Sequence, residues 1–377
     1  MKRIGWLVAL ILAGTPVWAA PQKITVEQLK ELLASTKQTG KGDANVAAEL
    51  RNVELTEQLT HGTMNGMAPN VPGQLTTEQL YVLEIRSAVL APPAGNVPDK
   101  PAPDAAGQKA ILDKATDYAS KTFAQLPAVS ATKVTRRFQD GSQQGQQNPV
   151  ARNNANLAAT ATPIKYTASD EIAVSFKNGV EQDSPSSQKT VWGQNGMIAM
   201  MGQEPVLSAV MQEAQESGKI TWVRWEQVFG ETMAVFSFAV DKKKSHYAVN
   251  YCCFPQVSQA GQMSMRGTET PGGAGNYQSQ DSWKNWKATV PYHGQIFVNP
   301  ETGVVGRLII QADLKGSDPV RVESQRIDYG PEKVGDKTLV VPVQTLIDTV
   351  EQPYPDDVQA RFIMRHTLFA ADYKDYK

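Results

Sequence analysis

Cysteine is almost missing from this chain: two occur in 377 residues, side by side at positions 252 and 253, which excludes a disulfide framework. Charge of one sign is missing too. The 37 Lys and Arg face 38 Asp and Glu, a net of −1, so no whole-molecule field draws the protein onto nucleic acid, and no nucleic-acid partner is expected. Histidine occurs four times, at 61, 246, 293 and 366, with no two at metal-ligand spacing. No metal or other cofactor is implied. There is no GxSxG, HExxH, GxxxxGK[ST], or GxGxxG leading into a helix. No catalytic residue can be named, and the protein is not expected to be an enzyme; a hydrolase has no motif behind it. Aromatic residues make up only 7%. What is present is length: at roughly 150 residues per domain there is chain for about two or three domains and a sizeable core.

The first residues read as an address. Lys2 and Arg3 precede an apolar run from Ile4 to Gly14, Pro16 breaks it, and Val17-Trp18-Ala19 offers a cleavage site before Ala20. Basic, apolar and small-residue regions in that order make a secretory signal peptide over residues 1 to 19. The run of about eleven is too short to span a bilayer. No later window approaches 18 uninterrupted apolar residues, so no transmembrane segment is expected in the mature chain. Its 35 basic and 38 acidic side chains leave it at −3, and its expected location is the periplasm or another exported compartment.

Residues 20 to 91 read as a helical region. Thr25 with Gln28 forms a capping box flanked by Ile24 and Leu29, and Thr76 with Gln79 between Leu75 and Leu80 repeats the pattern. Between them a helical pattern runs from Asp43 to Leu59, with His61 at its C-terminal end. Five prolines between 92 and 103 mark a semi-rigid linker over residues 92 to 109. Residues 110 to 377 read as one domain. A helix with Ile111, Ala115, Tyr118, Thr122 and Leu126 on one face opens it, and Lys133 to Phe138 is the first strand. Residues 139 to 163, rich in Gln, Asn and Ala without period, read as a disordered insertion.

Beyond that insertion strands dominate, interrupted by a helix from Pro205 to Ser217 that Gly218 ends. Turn residues at 299 to 303 and at Gly335-Asp336 predict an antiparallel meander. The strand faces are informative. Ala234, Phe236, Phe238 and Val240 share one face, but Met233, Val235 and Ala239 stand on the other. Val304, Leu308 and Ile310 are likewise backed by Val305 and Ile309, beside Arg307 and Gln311. A sheet with one face in water would be polar there; apolar residues on both faces predict cover on both. The expected fold is therefore α+β: a helical N-terminal region, then a curved antiparallel sheet, half-barrel-like, wrapped on a helix. A β-sandwich is the alternative. Phe236, Phe238, Leu308 and Ile310 are the candidate wall of an apolar ligand site.

Other features invite functional readings that the spacing does not support. Adjacent Cα atoms about 3.8 Å apart make a Cys252–Cys253 bridge strained; both that bridge and two unpaired thiols stay open. His293 reads as a hydrogen-bonded structural residue. Trp222 and Trp225 are expected on opposite faces of their strand, and Trp283 and Trp286 in a long Gly-rich loop. Lys242 to Lys244 read as a solvated tip.

Several segments, ITVEQLKELLA (24 to 34), VELTEQLT (53 to 60), AILDKATDYASKTFAQLP (110 to 127), VTRRFQD (134 to 140), FSFAVDKKKSHY (236 to 247) and YHGQIFVNPETGVVGRLIIQADL (292 to 314), together resemble a group of uncharacterised exported proteins frequent in Acidobacteria. The cysteine usual after the LP of the long helix is replaced here by the stretch Ala128 to Ala131. The C-terminal half is also similar, in strand order and in its NPETG hairpin, to the half-barrel of periplasmic lipoprotein carriers and outer-membrane lipoprotein-sorting proteins. That resemblance implies a non-catalytic binding or carrier protein whose partner is a lipid, a lipoprotein or another apolar ligand. The alternative is a structural protein of the envelope, bound to an envelope partner, with a self-filled core.

Overall fold

The computed structural model describes residues 21–140, 164–182, 206–255, 283–352 and 364–377. The signal peptide, most of the 139 to 163 insertion, Pro205 and the Gly-rich loop up to 282 lie outside the described residues.

The chain begins with a short parallel pair, β1 (Gln22–Ile24) and β2 (Val53–Leu55). Between them lie α1 (Val26–Gln38) and α2 (Asp43–Leu50). The Thr25–Gln28 capping box is present as expected. The helical pattern expected to continue to Leu59 stops at Leu50, and the chain turns into β2. His61 therefore starts α3 (His61–Gly66) instead of ending a helix. Its hydroxyl cap comes from Thr60, which accepts from the N–H of Thr63.

The second expected capping box is not formed. α4 (Gln74–Arg86) begins two residues before Thr76. Asp43 of α2 caps it from outside, accepting from the N–H groups of Leu75 and Thr76 at 3.0 and 2.9 Å and from the Thr76 hydroxyl. A carboxylate brought by tertiary packing has replaced the local cap. Gly73 leaves it room, since a Cβ there would lie 2.6 Å from Asp43 Oδ2.

The proline segment leads into α5 (Ala105–Asp117), capped by Asp104 and so starting five residues earlier than expected. The segment is docked on the sheet: the Trp225 indole N–H donates to the Pro101 carbonyl at 2.9 Å, and Lys100 sits 4.1 Å above the Trp225 ring. A π-helical turn (Tyr118–Thr122) and a short 3-10 turn then bring the chain to the sheet.

The expected α+β architecture is what the chain adopts. Ten strands form one curved antiparallel sheet that is not closed into a barrel. In chain order they are β3 (Val129–Gln139), β4 (Lys165–Lys177), β5 (Val180–Gln182), β6 (Thr221–Val228), β7 (Glu231–Val240), β10 (Tyr292–Val298), β11 (Val305–Ala312), β12 (Val320–Val334), β13 (Lys337–Glu351) and β14 (Arg365–Lys374). Their order across the sheet is β5-β4-β3-β14-β13-β12-β11-β10-β7-β6. A separate two-stranded ribbon pairs β8 (Ala248–Pro255) with β9 (Trp283–Thr289). Part of the expected Trp-bearing loop is thus strand. Cys252 and Cys253 stand on β8, and their side chains lie outside the described part.

Both faces of the sheet are covered. On the inner face, α5, the π-helical turn and α6 (Leu207–Ser217) pack onto a core that includes Phe236, Phe238, Ile296, Leu308, Ile310 and Ile327. On the outer face α4 lays Val82, Ile85 and Ala88 against Phe138, Leu346, Leu368 and Ala370. Two irregularities rearrange the faces expected from strict alternation. A bulge between Trp222 and Arg224 puts Trp222 and Trp225 on the same side, their rings 4.9 Å apart. A register shift at the end of β10 turns Val305 into the inner core, where simple alternation had placed it outside.

Candidate functional site

The four candidate wall residues come together. Phe236, Ile296, Leu308 and Ile327 form one row across β7, β10, β11 and β12. Phe238, Gly294, Ile310 and Gln325 form the next. Phe236, Phe238, Leu308 and Ile310 are 1, 3, 0 and 1% exposed. Gly294 is needed between them: a Cβ there would fall 1.9 Å from the Ile309 carbonyl oxygen and 3.1 Å from the Phe238 ring.

The cover over these rows is amphipathic. Leu207, Val210, Met211 and Ala214 of α6 face the sheet at helical spacing, and Gly218 ends the helix in the left-handed region at φ 65°. One polar residue of α6 is buried with them. Glu213 accepts from the Tyr292 hydroxyl at 2.8 Å and pairs with His246 Nδ1 at 2.9 Å. Sequence reading missed Glu213, Tyr247, Tyr292, Glu323 and Gln325, which gather on the inner face beside the second row. The Tyr247 hydroxyl lies 2.8 and 2.7 Å from the two carboxyl oxygens of Glu323, and the Gln325 amide donates to Glu323 and to Tyr247. The Tyr247 and Tyr292 rings are 5.3 Å apart. Burial pushes the Glu323 carboxyl up, against the lowering effect of its two hydrogen-bond donors. Burial likewise raises both tyrosines, and the neighbouring carboxylates add to it.

The outer face carries a second polar assembly. Glu84 of α4 meets Arg326 at 3.3 Å, Arg326 and Arg307 both meet Asp328, and Arg307 reaches Glu226 at 3.6 Å and the Gln58 side chain at 3.1 Å. Burial alone would raise Asp328, but the two guanidinium groups hold its carboxyl below the usual value. His61 lies 3.5 Å from Glu84, and that carboxylate raises the imidazole against the effect of burial. Every acid here has a basic partner, and the assembly ties the N-terminal helices to the sheet.

The remaining features fall outside both assemblies. His293 pairs with Asp313 at 2.7 Å on the surface, and Lys242 to Lys244 are exposed. A hollow of about 320 Å³ is lined by Lys30, Thr63, Gly66, Met67 and Asn70, with no residue from the sheet. Among the described residues no three metal-ligating side chains converge, and no helix is long and apolar enough to cross a membrane. Comparison with known protein families, curated proteins and solved structures finds no match.

Proposed function

We propose that this is an exported, non-catalytic carrier for an apolar ligand, a lipid or the acyl chain of a lipoprotein, whose empty form is closed by α6. The observation that carries this reading is the pair of apolar rows on the inner face, covered by α5, the π-helical turn and the amphipathic α6. The exchange is energetically feasible. Leu207, Val210 and Met211 gain roughly 1.5–3 kcal/mol each from burial. A chain of about 16 carbons gains on the order of 12 kcal/mol at about 0.8 kcal/mol per methylene, so a ligand can replace the helix.

A second reading rests on one specific observation. With wall residues at most 3% exposed, the sheet can be a self-filled core of an envelope structural protein. Binding of a neutral apolar fluorophore such as 1-N-phenylnaphthylamine separates the two. The carrier binds it, and Leu308→Trp and Ile310→Trp lower binding while costing about 1–3 kcal/mol of stability from overpacking. No binding by the wild type leaves the structural reading. The exported part of the proposal expects a mature N-terminus at or near Ala20; an intact Met1 on the isolated protein removes it.

A further inference from the structure

The inner face is not uniformly apolar, and its polar end has an unusual balance. Glu323 and Glu213 are 3 and 6% exposed. Among the described residues, the one cation-capable side chain within ion-pair distance of either is His246, on Glu213, and its imidazole is 87% exposed. The outer face, by contrast, pairs every buried acid with arginine. A buried carboxylate without a counter-cation costs several kcal/mol, and Glu323 has none among the described residues.

An independent observation points to what is missing. Gln325 is 1% exposed, its amide nitrogen is spent on Glu323 and Tyr247, and its carbonyl oxygen Oε1 has no hydrogen-bond partner among the described residues. The cluster therefore holds a carboxyl group without a counter-cation, Glu323, beside a bare amide oxygen. Its walls are the Tyr247 and Tyr292 rings, with Phe238 5.8 Å from Tyr292. The two tyrosine hydroxyls meet the carboxyl groups, and aromatic rings beside carboxylates suit an ammonium ion. Register puts Gln325 within the second row, between Ile310 and the buried Ile347, so the cluster adjoins the apolar wall.

We propose that Glu323 and Gln325, beside Tyr247 and Tyr292, are a head-group site that selects an apolar ligand carrying a protonated amine. The inference rests on the carrier reading and names its ligand class. The chain lies along the two rows in place of α6. The ammonium group donates to Glu323 and to the Gln325 carbonyl, filling the acceptor that the closed form leaves bare. Lifting α6 carries Glu213 away with the helix, so Glu323, fixed on β12, supplies the greater part of the selection.

The test uses the mature chain and three probes of one length: dodecylamine, dodecanol and dodecanoic acid, read by displacement of the neutral fluorophore. Dodecylamine should bind about tenfold tighter than dodecanol, which corresponds to one added charge-assisted contact of about 1.4 kcal/mol, and dodecanoic acid should bind weakest. Glu323→Gln should bring the amine down to the level of the alcohol and leave the alcohol unchanged. Equal affinities for the three probes in the wild type overturn the inference without any variant, as does a preference for the acid. In a Glu323→Gln chain that keeps its near-ultraviolet circular dichroism, an undiminished amine preference overturns it too. Binding of dodecanol without head-group preference leaves the carrier reading standing alone; binding of none of the three removes both.

Discussion

Ile310 and Gln325 are cross-strand partners in the ladder between β11 and β12. Ile310 therefore abuts an amide whose oxygen is bare, and on the far side of that amide the row continues with the buried Ile347. One row away, Leu308 and Ile327 continue the apolar surface. The second row thus carries one buried polar side chain between two apolar ones.

Glu323 should cost the empty protein stability in a pH-dependent way. Its folded carboxyl is raised by burial, so the folded state holds the proton more tightly than the unfolded one. Stability then falls as pH rises from about 4.3, the unfolded value, towards the raised folded value, and stays low above it. Glu323→Gln removes that loss. Its melting temperature relative to wild type should be higher at pH 8 than at pH 4, and an offset independent of pH contradicts the assignment.

The outer-face assembly predicts the opposite sensitivity. Glu84→Ala leaves the fully buried Arg326 without its partner from the helical layer, and should cost about 3–5 kcal/mol in urea unfolding. Replacing both, Glu84→Leu with Arg326→Leu, should cost clearly less than the single change, because no buried charge is left unpaired. Equal or additive losses would show that the pair is not coupled.

Asp43 caps a helix that is 31 residues downstream in sequence at its first turn. Asp43→Ala should cost about 1 kcal/mol, the usual value for losing an N-cap, and should speed exchange of the Leu75 and Thr76 amides. Glu27→Ala, an exposed change on α1, is the control. Unaltered exchange at both amides would mean the cap contributes nothing.

The parts that were legible in the sequence are those set by local rules. Thr25 and Gln28 form their box within four residues, and the both-faces pattern of β7 and β11 correctly called for cover on each side. Misreadings occurred where a distant residue or a register shift decided the outcome. Asp43 replaced the local cap at Thr76, and the bulge at Val223 turned Trp222 to the side of Trp225. The polar site was the least legible. Glu323 and Gln325 stand in Val-Glu-Ser-Gln-Arg, where polar residues alternate with other polar residues and read as a solvated strand. Only their burial and their pairing with Tyr247 set them apart, and neither is written near them in the chain.

On the proposed function a ligand chain takes the place of α6 on the inner face. Two methionines report on it within one molecule: Met211 of α6 is 1% exposed against the apolar rows, and Met233 is 4% exposed in the outer-face cluster with Val235 and Phe297. Peroxide footprinting of the mature chain, read by mass spectrometry with and without saturating dodecanol, follows both at once. The account predicts that dodecanol speeds oxidation of Met211 several-fold and leaves Met233 protected. Met211 remaining protected with dodecanol bound, or both methionines reacting together, would contradict it.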